Sequence, residues 1–282
     1  MSRDKATPAL QADRGLRNLL TRVLAALVLV PVTIAVAYVG GWFWLGLVVL
    51  AAIGLYVEWL MIVGAAGDNG VAALGVIALV SAGASLALGR IEVSLAVVVL
   101  AVVVVALWSS QRRGWIALGL CYASAALVAS AAVRRDPVFG FAALMLILLV
   151  VWATDIGGYF AGRALGGPKL WPRVSPKKTW AGAVGGFAAS LVVAAGFAAL
   201  GLGKTGPILL LGAALSIASQ LGDLFESAVK RRFGVKDSSQ IIPGHGGLLD
   251  RLDGLVAAIV LAAIFGFLRD GVDGVGRGLM VW

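Results

Sequence analysis

Only one cysteine, Cys121, and one histidine, His245, occur in this sequence. A lone thiol excludes an internal disulfide, and no second Cys or His stands beside it to form a soft-ligand metal centre. Cys121 lies inside an apolar run and reads as a small core residue. Charge is as scarce. Just 13% of the 282 residues are charged and 61% are hydrophobic, whereas a soluble domain carries roughly 25% charged residues. No internal repeat and no low-complexity stretch stands out. Alternating apolar and polar residues are missing too, which excludes a transmembrane barrel.

What the chain has instead is apolar runs of about 20 residues, each long enough to cross a ~30 Å hydrocarbon core as a helix. Lipid offers the backbone no hydrogen bonds, so such runs must be helical. The expected fold is all-α: a polytopic integral membrane protein of about nine transmembrane helices. The candidate spans are 18–39, 42–64, 71–89, 91–109, 115–133, 138–161, 180–201, 206–229 and 247–268. Ala35-Val36-Ala37 resembles a signal-peptide cleavage site, but the apolar run before it exceeds the ~7–15 residues of a signal core. It is read as a retained first span.

The basic residues fix the orientation. With the N-terminus inside, 16 of the 23 Lys and Arg fall on the cytoplasmic side and 6 on the far side, with Arg251 inside the last span. The cytoplasmic set includes the loops after spans six and eight. The division expected is a basic segment 1–17, a transmembrane scaffold 18–133, a catalytic transmembrane region 138–268 and a C-terminal tail 269–282. Spans one to five hold only Glu58 and Glu92 as acids and read as a packing and dimerisation scaffold.

The second half differs. Asp155, Asp223, Glu226, Asp250 and Asp253 lie in or at the ends of spans six, eight and nine. In span eight, Ser216, Gln220, Asp223, Ser227 and Lys230 recur at steps of four and three, so they share one helical face. Asp250 and Asp253 share a face of span nine, as do Asp155 and Tyr159 in span six. Converging carboxylates can bind a hard cation, relay protons, or simply pair with Lys and Arg. The loops favour the first use. Ser175-Pro176-Lys177-Lys178-Thr179-Trp180 and Lys230-Arg231-Arg232 with Lys236 lie on the same side as the carboxylates. Gly244-His245-Gly246-Gly247 precedes a helix N-terminus, whose free amides favour phosphate. Acids for a divalent metal and bases for phosphates describe a site for a metal–polyphosphate complex. The net charge of +9 suits anionic lipid headgroups or an anionic substrate.

From Ser227 to Asp253 the chain reads S-x-x-K-R-x(4)-K-D-x(5)-P-x-H-G-G-x-x-D-R-x-D. This pattern resembles the signature of the phosphatidate cytidylyltransferase (CDP-diacylglycerol synthase) family. Asp155-Ile-Gly-Gly-Tyr159 with Gly162-Arg163, and Ser175 to Trp180 with Gly182, are similar to that family as well. Many members carry an acid or amide after that tryptophan, where this chain has Ala181. The resemblance covers about 138–268 and implies transfer of CMP from CTP to phosphatidic acid, with Mg²⁺ and room for a second cation. It further implies Asp223 and Asp250 as metal ligands, with Glu226, Asp253 and Asp155 behind them. Lys230, Arg231, Lys236, Lys177 and Lys178 then hold phosphates. Ser175, Ser227 and His245 donate hydrogen bonds to phosphate oxygens, and Tyr159 and Arg251 join the substrate-binding set. Expected partners are the two substrates, membrane lipids and a second copy in a homodimer, with no nucleic acid. The expected site is the cytoplasmic face of the cell membrane. A CTP-dependent lipid kinase and an ion-coupled transporter are the alternative readings.

Overall fold

The computed structural model describes residues 27–108, 112–239 and 246–282. Nine apolar helices follow one another there. They are α1 (Leu27–Val39), α2 (Gly41–Ile62), α3 (Asn69–Ala87), α4 (Ile91–Trp108), α5 (Arg113–Arg135), α6 (Gly140–Leu165), α7 (Trp180–Ala199), α8 (Thr205–Arg232) and α9 (Leu249–Asp270). Eight of them, α2 to α9, are long and apolar enough to cross a membrane. The described part of the first expected span, α1, is shorter, and the basic segment 1–17 lies outside the described residues. The expected all-α membrane fold is what the chain adopts.

Two features depart from the spans as read. The segment before α7 is not simply a loop: β1 (Lys169–Trp171) and β2 (Ser175–Thr179) form an antiparallel hairpin. The tail contains a short helix, α10 (Val275–Met280), packed against α9, α6 and α5. Asp136 accepts a hydrogen bond from the Arg277 backbone at 3.0 Å, and the Arg269 guanidinium stacks on Trp282.

Helix packing decides where the site forms. α6 and α7 lie in close contact through facing glycines. A Cβ at Gly182 would stand 2.8 Å from the Gly158 carbonyl oxygen, and one at Gly157 2.6 Å from the Ala189 methyl. The small-residue patterns of these two helices therefore serve a contact within the chain. α8 packs on α7, α6 and α9, and its polar stripe explains how. Ser216 hydrogen-bonds Thr154 of α6 at 2.9 Å, and Gln220 donates to the Ala183 carbonyl of α7 at 3.3 Å. In the N-terminal half, α2 packs on α3 and α5, and α5 on α9. Trp59 of α2, Tyr122 of α5 and Phe225 of α8 stack with centroids 5.5 to 6.2 Å apart, tying the two halves together. Cys121 departs from its expected place in the core: it lies exposed on the apolar helix α5.

Candidate functional site

The loops after α6 and α8 bring charge to one end of the bundle, and α6, α8 and α9 meet there. Asp155 of α6, Asp223 of α8 and Asp253 of α9 lie within electrostatic reach of one another and of Lys178. Lys178 is placed by the hairpin. Thr179 ends β2 and caps α7, accepting from the Gly182 amide at 3.1 Å, so the residue before it is held at the mouth of the cleft. Its ammonium pairs with Asp223, both side chains about 30% exposed. Ser227 donates to the other Asp223 oxygen at 3.4 Å.

A second cluster lies one turn away along α8. Buried Lys230 pairs with Glu226 at 2.6 Å and with Asp250 of α9 at 2.5 Å. Glu226 is 1% exposed. Among the described residues, neither of its oxygens has a hydrogen-bond partner beyond that ion pair. The two residues expected as paired metal ligands, Asp223 and Asp250, are thus held by different partners: Asp223 by Lys178, Asp250 by Lys230 and the loop before α9.

That loop is held by carboxylates, one of them from an unexpected source. Asp250 accepts from the Ser238 amide at 3.0 Å and the Gly247 amide at 3.1 Å. Glu58 of α2, fully buried, accepts from the Leu248 and Leu249 amides, each at 2.8 Å. It also accepts from the hydroxyls of Ser238 at 2.8 Å and Ser239 at 2.7 Å. The Ser238 hydroxyl is within reach of Asp250 too, at 3.0 Å, and has one proton to give. Leu248 offers α9 no side-chain cap. Glu58 therefore caps α9 from another helix and satisfies amides that would otherwise be orphaned. A side chain at Gly247 would run into Ser238 and Glu58, so the close approach requires glycine.

This corrects two expectations. The α9 N-terminus is not open to phosphate at Gly247, Leu248 and Leu249, because carboxylates already take those amides. Nor is the N-terminal half a scaffold alone, since Glu58 of α2 holds the segments that flank the start of α9. The signal for Glu58 was present: a lone carboxylate inside a 22-residue apolar helix is costly unless it has partners.

Other expected residues lie nearer the rim. Arg231 bonds the Val174 and Val235 carbonyls at 3.4 and 3.1 Å, joining the hairpin to the end of α8. Lys177 and Lys236 are exposed, and Ser175 is half-buried on β2. Tyr159 is exposed and accepts from Arg163 at 2.8 Å, turned to its own helix. Arg251 is exposed at the start of α9. His245 lies outside the described residues.

The donor chemistry suits a hard divalent cation. Asp155, Asp223, Glu226, Asp250 and Asp253 stand near two ammonium groups, and carboxyl oxygens are the ligands such a cation takes. Among the described residues no three acids converge to coordination distance, and the lysines supply the neutralising charge.

Glu58→Ala should destabilise the protein by about 2 kcal/mol or more, since it strands the buried Leu249 amide and the part-buried Leu248 amide at ~1–3 kcal/mol for a buried group. Limited proteolysis after Arg232 and thermal unfolding in one detergent check this. Unchanged unfolding and cleavage would remove Glu58 from the account.

The chain matches the model of the cytidylyltransferase family over residues 20–268. It is 43% identical over 261 residues to the phosphatidate cytidylyltransferase of Brucella suis biovar 1 (strain 1330), covering 88% of this chain and 93% of the relative. It is 48% identical over 140 residues to the phosphatidate cytidylyltransferase of Haemophilus influenzae (strain ATCC 51907 / DSM 11121 / KW20 / Rd), 47% of this chain and 48% of that one. With the phosphatidate cytidylyltransferase of Bacillus subtilis (strain 168) the identity is 42% over 142 residues, 50% and 53% of the two chains.

Proposed function

This chain belongs to the cytidylyltransferase family, and from that premise we propose how its residues perform the family's reaction. The protein is a phosphatidate cytidylyltransferase of phospholipid biosynthesis: it transfers CMP from CTP to phosphatidic acid, giving CDP-diacylglycerol and pyrophosphate. An oxygen of the lipid phosphate attacks the α-phosphorus of CTP. The bond from that phosphorus to the oxygen bridging the β-phosphate breaks, and pyrophosphate leaves with the electron pair. The lipid phosphate is already ionised at neutral pH, with a second pKa of ~6. No protein nucleophile is needed, in keeping with a single histidine.

The protein's task is to bring two anions together and steady the charge that develops. The observation that carries this reading is the cleft where Lys178 of the hairpin pairs with Asp223 and lies within electrostatic reach of Asp155 and Asp253, the three acids coming from three helices. Lys178 sits where a phosphate would meet the carboxylates, and Lys177 and Lys236 at the rim attract the triphosphate. Arg231 keeps the hairpin against α8, and Lys230 keeps Asp250 and its loop in place. Asp223, Asp253 and Asp155, with Asp250 and Glu226 behind them, would hold Mg²⁺. A bound Mg²⁺ neutralises phosphate charge and polarises the attacked phosphorus.

Purified protein with CTP and phosphatidic acid should yield CDP-lipid, lose activity on chelation and regain it with Mg²⁺. Phosphorylated lipid with CDP would mark a lipid kinase. Activity that depends on an ion gradient and needs no nucleotide would mark a transporter.

We place the cleft on the cytoplasmic face, where CTP is found and where the basic loops gather. In a Cys121→Ala background, Lys204→Cys and Arg173→Cys, both at exposed positions, should label from opposite sides. The first should react in intact cells and the second only after permeabilisation. Labelling of both in intact cells would contradict the placement.

A further inference from the structure

A helix that needs only a cap carries Ser, Thr, Asn or Asp at its own N-cap, and α9 has Leu248 there. Its cap is Glu58 of α2 instead, an acid that is costly inside an apolar helix. Among the described residues, four donors meet its two oxygens. The Leu248 amide and the Ser239 hydroxyl take one oxygen, and the Leu249 amide and the Ser238 hydroxyl take the other. A local cap satisfies amides but moves with its own helix. A carboxylate on α2 satisfies them and fixes α9 against a second helix. One turn before Glu58, on the same face of α2, a Cβ at Gly54 would stand 2.6 Å from the end of the Leu248 side chain. The small residue there leaves room for the start of α9.

Ser238 carries the connection onward. Its hydroxyl lies 2.8 Å from Glu58 and 3.0 Å from Asp250, and its amide donates to the same Asp250 oxygen at 3.0 Å. The Gly247 amide reaches that oxygen too, at 3.1 Å. One Asp250 oxygen is thus tied to backbone that Glu58 holds, and the other pairs with the Lys230 ammonium at 2.5 Å. A carboxylate fixed at one oxygen has the other one aimed. The line from α2 to the cleft runs Glu58, Ser238, Asp250, Lys230, with no link longer than 3.0 Å.

We propose that Glu58 is a positioning residue for the reaction: through Ser238 it orients Asp250, and so aims the Lys230 ammonium at a substrate phosphate. The inference rests on the phosphatidate reading. A misplacement of ~1 Å at a reacting centre can cost about 10²-fold in rate. An aim lost in this way weakens the transition state more than the bound ground state, so kcat falls and KM moves little.

Two substitutions test the line. Ser238→Ala deletes the linking hydroxyl but keeps that residue's amide on Asp250 and the α9 amides on Glu58. Glu58→Gln keeps the length and turns one accepting oxygen into a donor. For both variants and their combination, kcat and the KM for CTP and for phosphatidic acid are measured per folded enzyme in one detergent. The melting temperature is taken with and without CTP. The expected kcat losses are about tenfold for Ser238→Ala and about 10²-fold for Glu58→Gln, with both KM values within about threefold and the CTP-induced rise in melting temperature retained. The combination should fall no further than Glu58→Gln alone, because the two act through one link. A kcat for Ser238→Ala within about twofold of wild type would overturn the proposal. So would losses that multiply in the combined variant, and Glu58 would then be a cap only. Should Glu58→Gln fail to fold, the kcat of Ser238→Ala decides alone. A wild type that makes no CDP-lipid would instead refute the phosphatidate reading, and this inference with it.

Discussion

Asp223→Asn is expected to lower turnover by about 10²–10³-fold, the size of one strong electrostatic contact to the reacting centre, while the protein still inserts and purifies. The two halves of that expectation have separate grounds. Asp223 stands at the cleft with its side chain about 31% exposed, so its charge is not buried and the fold does not depend on neutralising it. Asparagine keeps the shape and still accepts from Ser227. It removes the negative charge that faces Lys178 and would hold a divalent cation. Turnover measured beside thermal unfolding in the same detergent checks both halves. Near-normal turnover would remove Asp223 from the reacting centre, and unfolding would make it a structural residue.

Lys230 behaves differently because it is buried between two acids. Lys230→Gln leaves Glu226 and Asp250 facing each other without their cation, and breaking a buried ion pair in this way costs about 3–5 kcal/mol. Adding Glu226→Gln removes one uncompensated charge, and most of that stability should return, because Asp250 keeps the Ser238 and Gly247 amides. Turnover should remain down by about 10²-fold. An ammonium has three donors. Two bind the carboxylates, and we propose that the third donates to a substrate phosphate. Recovery of both stability and turnover in the double variant would make the Glu226–Lys230–Asp250 group structural only.

The contrast between these two residues marks how far the sequence could be read. The step of four and three along α8 put Ser216, Gln220, Asp223, Ser227 and Lys230 on one face, and each meets a polar partner. Helical periodicity is local and survives translation into structure. Which carboxylate meets which lysine is not local. Asp223 and Lys230 lie seven residues apart on one helix, yet one turns to the hairpin and the other to α9. The hairpin itself was hidden, because a short run of lysines and prolines between two apolar spans carries no strand alternation. That Glu58 needs partners was legible, but which partners it has was not, for a related reason. Its partners, Ser238, Ser239, Leu248 and Leu249, lie some 180 to 191 residues away, and no spacing rule joins α2 to the start of α9.

The most direct test follows the phosphorus. Purified protein is given phosphatidic acid with CTP labelled either at the α-phosphate or at the γ-phosphate. The account predicts that the α-label enters the lipid as CDP-diacylglycerol, that the γ-label leaves as pyrophosphate in equal amount, and that Asp223→Asn suppresses both together. Transfer of the γ-label to lipid, or turnover of CTP with no labelled lipid in either arm, would contradict it.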